Sequence, residues 1–338
     1  NCILRTLDLN GNKLEGHLPR SLANCTMLEV LDFGNNQLSG GFPSWLGNMS
    51  ELRVLVLRSN KFYGPWENQG TKCNLPKLQI IDISSNKFSG FISNECFSSW
   101  KAMMVKEEEA KWIFGINSTY NYQPAVTVTS KGLDMEVVKI LNIFTSIDFS
   151  NNVFEGEIPE AIGNLTSLYI LNFSRNILTG PIPSTFGNLT HLESLDLSKN
   201  MLTGKIPSQL ASLSFLSVVN FSFNKLVGKI PSGNQFQTFS ANSFEGNDGL
   251  CGPPSSKDCN YISKFPQNGS SNKEFDWVLL VVTFSGFLFG ASIIIGPQYF
   301  WKRGRQWANE LMNKILHISL CDATGKSTGF GGEGLHIE

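Results

Sequence analysis

The chain has 338 residues, a formal net charge of −1, and 16% charged against 41% hydrophobic residues. That balance excludes an intrinsically disordered chain, which lacks apolar side chains to bury, and it excludes a globally basic nucleic-acid binder. Seven cysteines are too few for a disulfide scaffold, so a packed core must carry the fold.

From the N-terminus, Leu4-Arg-Thr-Leu7-Asp-Leu9-Asn-Gly-Asn12-Lys-Leu14-Glu-Gly16 opens a repeat. Its asparagine recurs at Asn36, Asn60 and Asn86, and again at Asn152, Asn176, Asn200 and Asn224. The intervals are 24 residues, with one of 26 and one of 66 between Asn86 and Asn152. Most copies end in a step such as Leu18-Pro19, Phe42-Pro43, Ile158-Pro159 or Ile182-Pro183. Period-two leucines point inward along a short strand. The asparagine satisfies backbone groups where the chain turns, and Gly and Pro steer the return path. One such unit cannot bury its apolar face alone, so stacking is required, with the strands parallel along one concave face. Eight strands at about 4.8 Å spacing give roughly 38 Å of arc. The motif resembles the plant-specific leucine-rich repeat over residues 4 to 231 apart from the insertion. The fold expected is therefore an α/β solenoid, a leucine-rich-repeat horseshoe with short parallel strands. The first residue falls inside a repeat, so the chain is expected to be the C-terminal part of something longer or a truncated product.

Division of the chain follows from this pattern: repeats over residues 1–92, an island insertion over 93–143, and further repeats over 144–231. The insertion begins Cys96-Phe-Ser-Ser-Trp100-Lys-Ala-Met-Met104 and carries an acidic run at Glu107–Glu109, which reads as a solvated face. Its second half, Ala125 to Val137, alternates around Gly132 and predicts a β-hairpin. Cys25 and Cys73 share the phase of Met49, Leu165, Leu189 and Leu213, and read as buried core thiols; a Cys73–Cys96 bridge is the alternative. Cys2 has no assigned place.

After Ile230-Pro231, residues 232–276 read as a C-terminal cap and juxtamembrane segment. Cys251 and Cys259, eight apart in a Gly/Pro-rich stretch, are expected to form a disulfide in an oxidising compartment. From Trp277 to Trp301 no residue is charged, which is long enough to span a bilayer. Trp277, Tyr299 and Trp301 suit the interfacial belt, and Lys302, Arg303 and Arg305 put the C-terminus on the cytosolic side. Gly286 and Gly290 form a GxxxG suited to helix pairing. The tail, residues 302–338, is too short for a kinase, and its Gly329-Phe-Gly331-Gly-Glu-Gly334 lacks the strand and helix that a phosphate loop needs.

Asn24, Asn48, Asn117, Asn164, Asn172, Asn188, Asn220 and Asn268 satisfy N-x-[ST], all precede the span, and they are the expected glycosylation sites. Asn24, Asn48, Asn164 and Asn188 share one phase on the return side, whereas Asn172 and Asn220 fall in a concave strand slot. Asp8, Asp32, Asp82, Asp148 and Asp196 recur in that same slot, which makes them a polar ladder rather than acid/base machinery. Four scattered histidines make no metal or triad spacing, so no catalytic residue, metal or cofactor is expected. The concave side chains that stand out for ligand binding are Arg53, Val56, Arg58, Tyr169, Arg175 and Phe223.

Ser99-Trp-Lys-Ala-Met-Met104, Val126-Thr-Val-Thr-Ser-Lys-Gly132 and Lys273-Glu-Phe-Asp-Trp277, in this order of parts, resemble plant leucine-rich-repeat receptor-like proteins, the class of the tomato Cf and Verticillium-wilt resistance receptors. The resemblance implies a plasma-membrane, single-pass type I receptor with extracellular repeats and no kinase, binding an extracellular, pathogen-derived peptide or protein in defence. It also implies two partners, a leucine-rich-repeat receptor-kinase adaptor paired through the membrane helix and a SERK-type co-receptor. The alternatives are a developmental peptide receptor, an inhibitor-type repeat binder, and a truncated receptor remnant.

Overall fold

The computed structural model describes residues 2–66, 74–104, 126–130, 133–137, 144–233 and 235–259. Among these, eight three-residue strands form one parallel sheet in chain order, from Thr6–Asp8 and Val30–Asp32 to Ser194–Asp196 and Val218–Asn220. Equivalent repeat positions pair throughout: Leu7 with Leu31, Leu55 with Ile81, Leu171 with Leu195. The 66-residue gap does not disturb this register, because Ser146–Asp148 pairs directly with Ile80–Asp82. The expected parallel-strand solenoid is therefore present, and the insertion leaves and returns between two adjacent strands.

The repeating asparagine is what joins one turn to the next. Asn176 is buried; its Nδ2 donates to the carbonyls of Phe149, Phe173 and Ser174, and its Oδ1 accepts from the amide of Phe154. Asn36, Asn60, Asn86, Asn200 and Asn224 repeat the arrangement, and Asn152 carries it across the insertion to Ile83 and Phe88. One side chain thus satisfies four backbone groups that no ladder reaches. Asn247 does the same with Phe221, Phe244, Glu245 and Leu226. It is a further anchor, 23 residues after Asn224, and the 24-residue count passes over it.

Past the asparagines from Asn12 to Asn176 a second, six-stranded parallel sheet forms, running from Glu15–Gly16 to Ile177–Thr179. The sequence pattern supplies only a Gly–Pro return here. The glycine is required at Gly156: its φ is +80°, and a Cβ there would overlap the Phe91 ring. A proline then precedes a short 3-10 helix, as with Pro183 before Ser184–Asn188, and its carbonyl accepts the Phe186 amide. Leucine and phenylalanine from both sheets fill the space between; Phe149, Phe154, Phe173, Phe186 and Phe221 are fully buried.

Residues 94–104 differ from expectation. By sequence they belong to the island, yet they occupy the place of a repeat's return helix. The α-helix Asn94–Ser99 is capped by Ser93, whose Oγ accepts the Glu95 amide, and a 3-10 turn Lys101–Met103 follows. Phe97, Trp100 and Met103 are buried, and Ser167 donates its amide to the Met103 carbonyl. Large apolar side chains at these positions complete the core, which ties the segment into the stack. The predicted hairpin is present as two antiparallel strands, Val126–Ser130 and Leu133–Val137, with Ser130 opposite Leu133.

Beyond the last repeat, Phe236, Phe239 and Phe244 are buried, and Gly249–Cys251 adds a parallel strand to Val227–Lys229. The expected Cys251–Cys259 disulfide is present. Cys25 corrects the sequence reading: it is not a free core thiol but is bonded to Cys2, with the two Cα atoms 4.7 Å apart. Stacking brings positions about one repeat apart within disulfide reach, which gives Cys2 its place. Cys96 is also disulfide-bonded, and Cys73, the partner considered for it, lies outside the described residues. No helix among the described residues is long and apolar enough to cross a membrane. The span expected at 277–301, with Gly286 and Gly290, and the tail at 302–338 lie outside the described residues, as do Asn117 and Asn268.

Candidate ligand-binding face

The open face of the eight-stranded sheet is built from rows, because equivalent positions stack one strand apart. The residue before each asparagine anchor has positive φ: Asn35, Ser59, Ser85, Asn151, Arg175, Lys199 and Phe223 lie between 52° and 56°. This region costs an L-residue roughly 1 kcal/mol or more. It is held there because the amide of each bonds a carbonyl of the following turn, as Arg175 does with Ser198 and Lys199 with Ser222, at 2.9 and 2.8 Å. The constraint aims three large side chains, Arg175, Lys199 and Phe223, from one rim. Lys199 Nζ lies 5.7 Å from the Phe223 ring centroid, a cation–π pair.

Two open basins lie along this face. One, of about 560 Å³, includes Asn35, Arg58, Ser85, Asn151, Arg175 and Lys199 in its walls. The other, of about 390 Å³, is walled by Phe223 together with Asp196, Asn220, Asn242, Ser243 and Glu245. The first sets cations and the Asp196 carboxylate among amides and hydroxyls, and the second sets two carboxylates, amides and hydroxyls beside Ile170, Val218, Val219 and Phe223, surfaces suited to an extended polar chain with a few anchors rather than to a small apolar molecule.

The six residues expected on this face are therefore not equivalent. Arg175 and Phe223 are exposed at the rim, and Arg58 shares a basin with Arg175. Arg58 is itself buried, beside Asp82. Val56 is buried too, in a strip with Val30, Val54, Ile80 and Ile170. Val56 stands between Asp32 and Asp82 of the neighbouring strands and packs against this strip, which removes it from the surface. Arg53 is half-buried and tied to Glu29 at 3.5 Å and to Gln79 at 3.3 Å. Tyr169 packs between Phe144 and His191, with ring centroids 5.9 and 6.0 Å away, and His191 continues to Phe215. Burial and the Glu193 charge push the Tyr169 hydroxyl above its ordinary value. Lys199, His191 and Phe215 were not anticipated. Lys199 shares the phase of Arg175 and Phe223, and His191 shares that of Phe215, so a table of residues by phase would have found them.

The carboxylate row is a hydrogen-bonded ladder, as expected. Asn10 Nδ2 donates to Asp32 at 3.0 Å, Asn172 to Asp148 at 3.0 Å, and Asn220 to Asp196 at 3.4 Å. Asp82 differs: Val56 is its neighbour on one side and Asp148 on the other, so no asparagine side chain serves it. Its Oδ1 accepts from Ser84, while its buried Oδ2 has no hydrogen-bond partner among the described residues. Burial, reinforced by the Asp148 charge, pushes Asp82 up to about 8. Burial also raises Asp148, to about 6, against the bonds from Ser150 and Asn172, and it raises Asp32. Among the described residues no group of three or more His, Cys, Asp or Glu side chains could hold a metal ion.

Comparison with known proteins follows the same architecture. Residues 3–62 match one leucine-rich-repeat family model, and residues 77–99, 144–165, 167–189 and 191–213 match another. Receptor-like protein 9DC3 of Solanum pimpinellifolium is 61% identical over 259 residues, which is 76% of this chain and 30% of that protein. Receptor-like protein 19 of Arabidopsis thaliana is 45% identical over 86% of this chain and 30% of its own length. Receptor-like protein 18 of the same plant is 44% identical over 49% of this chain and 20% of its own length. The chain thus spans less than a third of these relatives. Among solved structures, the Arabidopsis receptor kinase HAESA in complex with the peptide hormone IDA and the co-receptor SERK1 aligns with a TM-score of 0.53 and 26% identity, over 75% of this chain and 39% of HAESA. A plant ice-binding protein aligns with a TM-score of 0.55 and 26% identity, over 76% and 67% of the two chains.

Proposed function

This chain is a relative of plant leucine-rich-repeat receptor-like proteins, and from that premise we propose that it is part of a cell-surface receptor without a kinase domain, which binds an extracellular peptide or protein on the open face of its eight-stranded sheet. The observation that carries the reading is the rim of Arg175, Lys199 and Phe223, held in a strained backbone conformation beside two basins. The same backbone conformation recurs in every turn, so what sets these three consecutive turns apart is the large side chains they present from it. Arg and aromatic side chains are favoured interface anchors, and a cation beside an aromatic ring suits a peptide carrying carboxylates and apolar groups.

Residues 232–276 serve as the cap and juxtamembrane segment, and Trp277–Trp301 crosses the plasma membrane as a type I span. Signal then passes to a receptor-kinase adaptor through Gly286 and Gly290, with a SERK-type co-receptor joining once ligand is bound, in defence against a pathogen. Ligand shifts that assembly only through its differential affinity for the complex. No cofactor enters this scheme.

The test is affinity purification of the full chain from plant membranes, beside the Gly286→Leu/Gly290→Leu variant. A leucine-rich-repeat receptor kinase identified with the parent and lost with the variant is the expected result. Glycosylated chain at the plasma membrane that brings down no kinase would overturn the reading.

A further inference from the structure

The six N-x-[ST] sequons among the described residues fall into two structural groups. Asn24, Asn48, Asn164 and Asn188 are each the last residue of a 3-10 helix: Arg20–Asn24, Ser44–Asn48, Glu160–Asn164 and Ser184–Asn188. All four are exposed, and their side-chain amides make no hydrogen bond among the described residues. Helices one turn apart pack together, so the four form two neighbouring pairs on the helix side of the solenoid.

Asn172 and Asn220 are built differently. Each ends a strand of the eight-stranded sheet and is partly buried. The Asn172 Nδ2 donates to Asp148 Oδ2, and its Oδ1 accepts both the amide and the hydroxyl of Ser174, at 3.1 and 2.8 Å. The Asn220 Nδ2 donates to Asp196 Oδ2, and its Oδ1 accepts the Ser222 amide and hydroxyl, at 3.2 and 2.7 Å. The nucleophilic nitrogen and the sequon hydroxyl are therefore both used by the fold. The Asp148 carboxylate that the Asn172 amide serves is buried, and a buried carboxylate that loses a donor is left with its desolvation uncompensated.

We infer that the mature protein carries N-linked glycans on the helix row Asn24, Asn48, Asn164 and Asn188, and none on Asn172 or Asn220, so that the sheet face stays bare. The reaction replaces one Nδ2–H by a bond from Nδ2 to the anomeric carbon of a polyprenyl-diphosphate-linked oligosaccharide. The bond from that carbon to the diphosphate oxygen breaks, polyprenyl diphosphate leaves, and the amide proton is released. At the helix row the product projects into solvent, the usual place for a bulky hydrophilic modification. On the sheet, a sugar on Asn172 would stand in a row whose neighbouring strands are about 4.8 Å away, between Asp148 and Asp196. The inference rests on the extracellular reading above and adds to it: the helix side is shielded at four places, and the face carrying Arg175, Lys199 and Phe223 is left open to a ligand.

The experiment is site-by-site occupancy. The full chain is purified from plant cells after passage through the secretory pathway, then treated with a peptide N-glycanase in heavy-oxygen water and mapped by peptide mass. Labelled aspartate at positions 24, 48, 164 and 188, with intact asparagine at 172 and 220, is the expected pattern. Ser174→Ala and Ser222→Ala, which destroy the sheet sequons, should leave gel mobility unchanged, whereas Thr190→Ala should remove one glycan. Label at Asn172 or Asn220, or a glycan lost with Ser174→Ala, overturns the inference and leaves the receptor reading standing. Label at none of the six sites overturns both.

Discussion

Asp82 stands between a valine and another aspartate, and that placement sets its chemistry. Its ordinary value is 3.8 and burial beside Asp148 raises it to about 8. Between those values the folded chain keeps a proton that the unfolded chain has released. Stability therefore falls as pH rises through this window and levels off above it, because the native state binds the extra proton. Asp148, raised to about 6, acts in the same sense over a narrower range. In Asp82→Asn, whose amide also offers Asp148 a donor, the decline between about pH 6 and 8 should disappear. Denaturant unfolding at a series of pH values measures this, and a parallel decline in parent and variant would count against the assignment. Residue-scale features of this kind are only half legible beforehand. The recurrence of Asp8, Asp32, Asp82 and Asp148 in one phase is plain, but which aspartate lacks an asparagine neighbour depends on which strand lies beside it.

Elements are joined by the asparagine anchors, and their position in the stack decides what each is worth. Asn176 has turns on both sides and satisfies four buried backbone groups. Asn12 is exposed and bonds only the carbonyls of Leu9 and Asn10, since no strand pairs with the outer edge of Thr6–Asp8 among the described residues. Each buried group left unpaired costs about 1 to 3 kcal/mol. Asn176→Ala should therefore destabilise by about 3 kcal/mol or more, and Asn12→Ala by about 1 kcal/mol or less. Equal shifts in denaturant midpoint for the two variants would contradict the four-bond account. The strand, the asparagine and the Ile-Pro step were readable in the sequence because each is local and recurs. The six-stranded sheet was not, because its strands pair only after stacking aligns them. The helix Asn94–Ser99 was hidden for a related reason: Ile92-Ser93 replaces the Ile-Pro step before it, and its role shows in the core that Phe97 and Trp100 complete.

Across the whole repeat unit, the Cys2–Cys25 and Cys251–Cys259 disulfides lie toward opposite ends of the stack. Cys2 and Cys25 are 23 residues apart, and closing a loop of that length is worth about 3 kcal/mol by the chain-entropy argument. A repeat stack is stabilised chiefly by contacts between neighbouring turns. Loss of the bridge in Cys2→Ser/Cys25→Ser should therefore loosen the first two turns and leave the last four protected. Hydrogen exchange resolved by segment reads this directly; uniform loss of protection along the chain would mean that the stack unfolds as one body.

The architecture was determined by the sequence itself, because a period of 24 residues with leucine, asparagine and proline in fixed phase admits only stacked turns with parallel strands. The Cys251–Cys259 bridge and the hairpin around Gly132 were likewise written in short spacings. Tertiary structure alone decided which turns are neighbours, and much else follows from that. It set the Ser146–Asp148 strand beside Ile80–Asp82 across 66 residues of spacing, bonded Cys2 to Cys25, buried Val56 and Arg58, and left Asp82 without an asparagine donor. It also used the Asn172 and Asn220 amides inside the ladder while leaving those of the helix row free. Periodicity places every residue within its turn, but burial, protonation and pairing depend on the turn stacked beside it.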